Sequence, residues 1–499
     1  MTSIIGHLSF AAVVGSVLAI VSLRFFLSCV LNDRKLRHFQ GPTLARFSRV
    51  WMLWQSLHAR VNRAEFDAIS KHGMTCRIGP DILVTGDPDV VRHMNAPTSK
   101  WRRSPWYHAM RLDPRLDTVF STRDEKVHSD LKAKEAGGYS GRDIDSLEPA
   151  VDSRIGDLLE LLRRQYNGSS VDISSIMRYF TLDVLSTVAF GRPFGFLAAN
   201  KDLWEYNKLS TDFLQVLELR LNHPFFRWLF SLSFVQTILA PKESDETGMG
   251  PMVKFAREAV AERFGVHAHV EKDMLGHFVA KGLSQMQCEA EASLQILAGS
   301  DSTTTVLRSI LFHLGASPGA YAKLRIEIED ATATHMPTGV IAYAKAQKLP
   351  YLSACIWEGL RMYPPLFGLK SKIAPLGGDT IKGVYYPEGV EVAICDDAIC
   401  RNKTLFGHDA NIFRPERWLE ADAPTYRSYY QTVDTVFGSG RYLCLGKHIA
   451  MMEIYKTIFE LVRHFDWMIV DPMKGIDKYG RAHGVHIQSG MNMVATVRT

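Results

Sequence analysis

One cysteine stands in a sequence that favours chemistry at its sulfur. Residues 437–446 read Phe-Gly-Ser-Gly-Arg-Tyr-Leu-Cys-Leu-Gly, and a helical pattern begins directly afterwards at Lys447. Gly438 and Gly440 permit tight backbone turns and a close approach to another group. Because Cys444 comes just before a helix, the backbone N–H groups at the helix start favour its thiolate form. The segment therefore predicts a functional thiolate at Cys444.

Two simpler interpretations of this segment fit less well. A dinucleotide-binding Gly-x-Gly-x-x-Gly loop would need its third glycine at Leu443, and no clean strand precedes the segment. A buried structural thiol is the common role of a single cysteine, and that role suits the other six cysteines better. The seven cysteines are scattered and contain no Cys-x-x-Cys pair. This pattern is typical of a reducing compartment.

The segment resembles the haem-binding loop of the cytochrome P450 family. The family pattern is Phe-x-x-Gly-x-Arg-x-Cys-x-Gly, and four positions match it: Phe437, Gly440, Cys444 and Gly446. The arginine is displaced by one position, since Tyr442 occupies its place and Arg441 precedes it. The resemblance implies that Cys444 is the axial ligand of the iron in haem b, and that Phe437 and Arg441 lie beside the cofactor. With its arginine displaced in this way, the segment resembles the loop of filamentous-fungal members.

Two charged motifs, in the order that the family requires, strengthen the resemblance. Glu358 and Arg361 share one helix face and resemble the Glu-x-x-Arg signature. Arg417, in the sequence Pro-Glu-Arg-Trp, resembles the arginine of the Pro-Glu-Arg-Phe element. An i, i+3 ion pair alone is common on helix surfaces and would mean little. The resemblance implies that the three residues form a buried charge network that supports folding and the haem loop without taking part in the reaction.

A further motif concerns oxygen. Residues 298–303 read Ala-Gly-Ser-Asp-Ser-Thr and resemble the family's Ala/Gly-Gly-x-Asp/Glu-Thr-Thr. By this resemblance Asp301, Ser302 and Thr303 are the catalytic residues that relay protons, and the small residues before them leave room for a diatomic ligand. Ser302 replaces the usual first threonine, which leaves open which hydroxyl carries the relay. A helix kink, caused by Ser and Thr bonding back to helix carbonyls, is the structural alternative.

Haem propionates need cationic partners, and three side chains are candidates. His128 and Lys132 share a helix face at i, i+4, where many family members carry Trp-x-x-x-Arg or His-x-x-x-Arg. Lys372 stands where the family often has an arginine. Lysine offers a point charge in place of the bidentate guanidinium, so the resemblance implies looser anchoring. Solvated surface residues are the alternative interpretation.

The elements that position these residues are mostly helical. Helical patterns cover residues 147–164, 171–190, 253–264, 285–314 and 352–363, and strand-like stretches lie near residues 76–84 and 380–394. After residue 42 no repeat, low-complexity tract or Ser/Gly-rich linker interrupts the chain. The sequence predicts one large domain, mainly α with small β-sheets. The resemblance spans roughly residues 40–490 and implies the cytochrome P450 fold, with the haem-thiolate catalytic domain at residues 32–499.

The N-terminus carries a membrane signal. Residues 4–23 are twenty residues without a charged side chain, enough for a helix of about 30 Å. A cleavable signal peptide would need a positive charge before the apolar stretch, and a helix buried in the main domain would have a polar face. Positive residues follow instead, which leaves the chain after them in the cytosol. We predict a single-pass transmembrane anchor at residues 1–31, in the endoplasmic reticulum membrane, and a hinge at residues 40–42.

Two further properties limit the partners. Lys plus Arg (58) exceed Asp plus Glu (53) by only five in 499 residues, so we expect no nucleic-acid partner. Residues 224–240 form a second apolar run that is too short to span a bilayer as a helix. This run is either part of the core or a shallow contact with membrane lipid.

The assembled site implies a haem-thiolate monooxygenase that inserts one oxygen atom from O2 into a lipophilic substrate. No flavin or nicotinamide motif is found, so electrons must come from outside the chain. The resemblance implies that NADPH-cytochrome P450 reductase supplies them from NADPH, with Arg441 and Lys447 as candidate docking cations. By resemblance the substrate is a fungal secondary metabolite. Two alternatives remain: a redox-independent haem-thiolate isomerase or dehydratase, and a non-catalytic haem-binding membrane protein.

Overall fold

Helices account for most of the secondary structure, as the periodicity predicted. The computed structural model describes residues 16, 24 and 31–498, except 142–143, 145, 233, 236–237, 239–241, 266–267, 269–270 and 336–338. The helices are α1 Thr43–Phe47, α2 Val50–Leu57, α3 Val61–His72, α4 Pro88–Asn95, α5 Pro105–Ala109, α6 Glu125–Ser140, α7 Leu147–Gln165, α8 Ile173–Phe190, α9 Phe196–Ala199, α10 Tyr206–Asn222, α11 Pro224–Leu229, α12 Gly250–Ala261, α13 Met274–Ala280, α14 Gln285–Gly315, α15 Pro318–His335, α16 Tyr343–Ala346, α17 Pro350–Met362, α18 Asp396–Cys400, α19 Lys403–Phe406, α20 Glu416–Glu420, α21 Ala423–Val433 and α22 Lys447–His464.

The strands are short and form small sheets. They are β1 Thr75–Arg77, β2 Ile82–Thr85, β3 Arg102–Arg103, β4 Ser170–Asp172, β5 Lys372–Ile373, β6 Asp379–Ile381, β7 Val384–Tyr386, β8 Glu391–Ile394, β9 Phe465–Ile469, β10 Gly480–Ala482, β11 His486–Gln488 and β12 Asn492–Val497. The largest sheet has the order β1-β2-β8-β5-β3, in which β2 and β8 are parallel. A second sheet has the order β4-β12-β9, and β6-β7 and β10-β11 are hairpins. The predicted fold class, mainly α with small β-sheets, is confirmed.

Helix α14 is the axis of the fold. Its start is fixed by a capping box, in which the Ser284 side chain accepts from the Gln287 backbone N–H and the Gln287 side chain accepts from the Ser284 N–H. The helix packs against α8, α12, α17 and α22, and most of its 31 residues are buried. At Gly359 of α17 a Cβ atom would come within 2.3 Å of the Ile310 side chain. Glycine therefore lets α17 approach α14 closely.

The polypeptide before α1 is fastened to the body. The Arg77 backbone N–H of β1 donates to the Gln40 carbonyl at 2.7 Å, and a Cβ on Gly41 would lie 2.0 Å from the Arg77 carbonyl oxygen. Leu36 and Phe39 are buried. The prediction of a hinge at residues 40–42 is therefore wrong, because these residues pair with the sheet edge.

The predicted anchor at residues 1–31 lies almost entirely outside the described residues. Among the residues that the structure does describe, no helix has the length and apolar character needed to cross a bilayer. The second apolar run, residues 224–240, is described in part. Its large side chains Phe225, Trp228, Phe234 and Ile238 are exposed, which excludes the core interpretation for these four residues.

Candidate functional site

The Cys444 loop is held in shape by backbone contacts. The Cys444 N–H donates to the Phe437 carbonyl at 2.7 Å, which closes the loop before α22. Gly438 and Gly440 have φ of 76° and 56°, and a Cβ on Gly440 would lie 2.1 Å from the Asn95 carbonyl oxygen of α4. Glycine is required at position 440 for this approach. The loop is thus pressed against α4, and Phe437 contributes its carbonyl to the turn.

Cys444 differs from the other described cysteines in its accessibility. It is exposed, whereas Cys76, Cys288, Cys355, Cys395 and Cys400 are buried. The surrounding protein nevertheless desolvates its sulfur: burial raises the pKa of the Cys444 thiol, and the backbone N–H groups of Gly446 and Lys447 act in the opposite direction. The sulfur is therefore accessible, and helix-start amides favour its thiolate.

The oxygen motif lies on α14 and presents one accessible face. Ala298 is exposed, and Gly299 and Ser302 are partly exposed, in a helix whose neighbouring residues are buried. The Ser302 hydroxyl donates to the Ala298 carbonyl at 2.8 Å. Leu294, one turn earlier, forms an apolar cluster with Val119 and Leu131, and Leu445 beside the cysteine packs against this cluster. The Cys444 loop and this face of α14 consequently border the same region.

The other members of the motif point elsewhere. Asp301 is buried and accepts two hydrogen bonds from Arg178 of α8, at 2.7 and 2.9 Å. Thr303 is buried and its hydroxyl donates to the Gly299 carbonyl at 3.3 Å. A Cβ on Gly299 would lie 2.8 Å from the Leu185 side chain, so the small size of Gly299 also serves helix packing. Of the three predicted catalytic residues, only Ser302 lies on the accessible face.

A cluster of basic side chains surrounds the Tyr442 ring. The Lys372 Nζ lies 3.3 Å from the ring centroid and the Arg103 guanidinium carbon 4.7 Å from it, while the His128 ring centroid is 5.3 Å away. Burial, followed by the charges of Arg103 and Lys132, lowers the pKa of His128 to about 3, so this imidazole is neutral. Burial and the Arg103 charge hold the pKa of Lys372 well below its usual value. The cluster has more cations than anions.

The remaining predicted propionate partners hold the loop itself. Lys132 donates to the carbonyls of Arg441 and Leu443 at 2.7 and 3.0 Å. Arg441 donates to the carbonyls of Ala96 and Ser99. Both side chains therefore fix the Cys444 loop to α6 and to the segment after α4.

Lys372 is the residue of this cluster that lacks an acceptor. Its Nζ is buried and has no hydrogen-bond partner in the structure. A buried ammonium without an acceptor is costly, so the position suits an anionic group of a bound cofactor. An accessible thiol for the iron and an unpaired buried cation for a propionate together fit haem.

The charge network behind the loop is completely buried. Arg361 donates to both oxygens of Glu358, at 2.7 and 2.9 Å, and Arg417 donates to the same carboxylate at 3.0 Å. The Trp418 indole N–H adds a bond at 2.9 Å. Burial alone would raise the pKa of Glu358, but the two arginines outweigh it and the pKa is lowered. The arginines also donate to loop carbonyls, among them that of Ile412, so the network fixes the segment before α20.

Three contributors to this geometry escaped the sequence analysis. Arg103 lies in a two-residue strand without any motif, Arg178 is one of two charged residues, with Asp183, in a mostly apolar helix, and Tyr442 stands in place of the motif's arginine. Their roles depend on contacts between elements far apart in the chain. Only the presence of charge in the otherwise apolar α8 could have drawn attention to Arg178.

The comparison with known proteins is consistent with this geometry. A family model described as cytochrome P450 matches residues 51–493. This chain belongs to the cytochrome P450 family. It is 40% identical to the cytochrome P450 monooxygenase ABA1 of Pyricularia oryzae, with 91% of each chain covered. It is 34% identical to the cytochrome P450 monooxygenase aba1 of Botryotinia fuckeliana, with 92% of each covered, and 31% identical to the monooxygenase abl1 of Leptosphaeria maculans, with 88% of this chain and 79% of the relative covered.

The cytochrome P450 is thus a haem-thiolate monooxygenase, and its own residues have distinct tasks. When bound, haem supplies the activation of O2. Cys444 would hold the iron, and Lys372 and Arg103 would face the propionates. The Ser302 hydroxyl can donate or accept a proton on the accessible face of α14. Asp301 and Arg178 hold α14 against α8.

Proposed function

We propose that this cytochrome P450 inserts one oxygen atom from O2 into a lipophilic molecule of fungal secondary metabolism. It uses haem b and takes electrons from NADPH through NADPH-cytochrome P450 reductase. The observation that carries the proposal is the accessible Cys444 sulfur, in a loop whose Tyr442 ring contacts the buried Lys372 ammonium, for which the described residues offer no hydrogen-bond acceptor. The fungal origin of the relatives supports the metabolic class.

Apolar side chains near the accessible face of α14 support a lipophilic substrate. Leu297, directly before Ala298, packs against the same apolar cluster as the partly buried side chains of Met110, Phe120 and Phe213. Leu366 is 36% exposed. Apolar and aromatic walls with few polar groups are typical of small-molecule sites.

An endoplasmic reticulum location with a cytosolic catalytic domain belongs to the same proposal. Exposed large apolar residues support a shallow membrane contact in addition to the anchor at residues 1–31. One group lies in and after α11 and comprises Phe225, Trp228, Phe234 and Ile238. A second group lies in and around α1 and α2 and comprises Leu44, Phe47, Val50, Trp54 and Leu57.

The two groups are adjacent. Asn222, at the end of α10, donates to the Ser56 hydroxyl of α2 at 3.3 Å, and α2 packs against α10. Helix α11 begins two residues later. The two groups therefore support one continuous apolar surface that enters the headgroup region.

The reductase is proposed to dock on exposed cations other than Arg441 and Lys447. Lys447 pairs with Asp434 at 2.5 Å, and the Arg441 guanidinium donates to the Ala96 and Ser99 carbonyls. Side chains engaged in this way are poor candidates for an acidic partner, which needs exposed charges.

The reaction is tested in microsomes that contain the full chain and reductase. A gene-deletion strain of the source organism is profiled for the metabolite that accumulates, and that metabolite is then supplied to the microsomes. The proposal expects turnover that requires NADPH and O2, with one atom of 18O2 in the product. Turnover without NADPH would instead identify a redox-independent isomerase or dehydratase, and no turnover by haem-loaded protein would favour a binding role.

The membrane contact is tested by flotation on phospholipid vesicles. Deletion of residues 1–31 should weaken binding and leave a measurable fraction bound. Adding Phe225→Ser and Trp228→Ser to the deletion should abolish it, whereas a matched pair at exposed apolar positions elsewhere, Met473→Ser and Leu376→Ser, should not. Complete release by the deletion alone would contradict the second contact.

A further inference from the structure

A buried polar pair lies within the apolar wall described above. The Nδ1 of His483 and the Oε2 of Glu218 are 2.6 Å apart, and both side chains are 2% exposed. Glu218 belongs to α10, and His483 belongs to the turn between β10 and β11. The pair thus joins two elements that are separated by 265 positions in the chain.

Each partner has a polar atom left over. Within the described residues, Glu218 Oε1 and His483 Nε2 have no hydrogen-bond partner. A buried polar atom without a partner costs about 1–3 kcal/mol, so native proteins rarely leave one unpaired. Two such atoms in one pair indicate a group that joins them when the protein is in use.

The pair borders the region that the substrate is proposed to occupy. On α10, Leu214, Leu217 and Leu221 pack in the same apolar cluster as Val485 of the β10–β11 turn, and this cluster reaches Leu297 of α14. The turn also contacts the segment after α17, where the Phe367 N–H donates to the Gly484 carbonyl at 3.0 Å.

The buried surroundings of the pair favour a neutral ligand group over a charged one. Glu65 of α3 is buried, and neither of its oxygens has a partner. Burial raises the pKa of Glu65; the charge of Lys370 opposes that effect, and Glu218 adds to it. Burial also raises the pKa of Glu218, against the opposing effect of His483. A ligand group with a full charge of either sign would be costly in an apolar wall, so a neutral polar group fits the pair.

We propose that Glu218 and His483 bind a hydroxyl group of the substrate, so that this cytochrome P450 acts on an apolar skeleton that already carries an alcohol. A hydroxyl is neutral and offers one donor and two acceptor positions, which matches a carboxylate oxygen beside a ring nitrogen. The inference rests on the proposed monooxygenase function and deepens it. A reaction that installs or releases a hydroxyl must therefore precede this one.

The test compares alcohols with the matching hydrocarbons. Haem-loaded protein is titrated with borneol and bornane and with farnesol and farnesene, and dissociation constants are read from the Soret difference spectrum. We expect each alcohol to bind roughly tenfold more tightly than its hydrocarbon, which is the effect of one hydrogen bond to a charged group. Glu218→Gln and His483→Leu should bring that ratio close to one.

The control variant is Leu214→Val, which changes the apolar wall one turn away without altering a hydrogen bond. It should shift the affinities for alcohol and hydrocarbon equally and preserve their ratio. Any of three results would overturn the proposal. They are an affinity ratio of alcohol to hydrocarbon near one in the unmodified protein, no Soret shift with either alcohol, and an unchanged affinity ratio in both the Glu218→Gln and the His483→Leu variants. Each of these outcomes leaves the thiolate-type spectrum of the carbon monoxide complex intact, whereas absence of that spectrum in the unmodified protein would overturn the monooxygenase function itself.

Discussion

Arg178 and Asp301 form a two-point salt bridge in the protein interior, with Nε–Oδ1 and Nη2–Oδ2 distances of 2.7 and 2.9 Å. Both side chains are less than 5% exposed, and the guanidinium also lies 4.9 Å from the Tyr206 ring centroid. The salt bridge joins α8 to α14 at the oxygen motif. The acid that the motif assigns to proton relay is therefore also a packing contact between α8 and α14.

Removing one partner of this salt bridge should cost more stability than removing both partners. Arg178→Met leaves a buried carboxylate without a partner, and we expect a loss of about 3–5 kcal/mol in the free energy of unfolding. The double variant Arg178→Met/Asp301→Leu should recover most of that loss, as measured by urea denaturation. Equal losses for the single and double variants would contradict this interpretation.

Ser302 should carry the proton relay that the motif leaves open between two hydroxyls. Ser302→Ala is expected to reduce product formed per NADPH consumed at least several-fold and to increase release of hydrogen peroxide. Thr303→Val is the matched control, because the Thr303 hydroxyl is buried and bonds within its own helix. A larger effect of the threonine change than of the serine change would assign the relay to Thr303.

Cys444→Ala should eliminate the thiolate-type red-shifted Soret band of the reduced carbon monoxide complex. The control is Cys288→Ala, since Cys288 is buried in α14. We expect that variant to retain the band. A band that survives in Cys444→Ala would refute the assignment of this residue as iron ligand.

Replacing Lys372 should stabilise the haem-free protein and weaken its retention of haem. Its ammonium is buried without an acceptor, so Lys372→Met should stabilise the haem-free protein by about 1–3 kcal/mol. The same change should speed the transfer of haem to a scavenging globin. The pKa of Lys372 is depressed in the fold, so the cost of its buried charge is complete below that pKa and declines as the pH rises toward the ordinary lysine value. The stability advantage of Lys372→Met should therefore fade at alkaline pH. The exposed Lys345→Met should alter neither quantity.

Two buried carboxyl groups make stability depend on pH. Glu135 of α6 lies near Glu291 of α14, and burial raises the pKa of Glu291 to about 8, against the Val119 N–H that bonds to it. A carboxyl group with a raised pKa contributes stability that is complete below its unfolded value of 4.5 and is lost as the pH rises through about 8.

Glu291→Gln should therefore flatten the decline of melting temperature between pH 5 and pH 8.5. The exposed Glu160→Gln serves as control and should follow the unmodified protein. A parallel decline in Glu291→Gln would show that the carboxyl group is not responsible.

The sequence by itself determined the family and the mainly helical fold and predicted the cysteine ligand, because these depend on local patterns. The Cys444 loop, the Glu358–Arg361 spacing and the helical periods are each contained within one segment, so residue order was sufficient to predict them. Phe437 and Gly440 likewise act within the same loop.

Tertiary structure decided which side chains reach the site. Only the packing of α8 on α14 turns Asp301 toward Arg178 and leaves Ser302 on the accessible face. Only the junction of β3, β5 and the Cys444 loop brings Arg103 and Lys372 to the Tyr442 ring. These partners lie on different elements of the chain, and their contacts depend on the angles and distances between packed elements, which no single segment of the chain encodes.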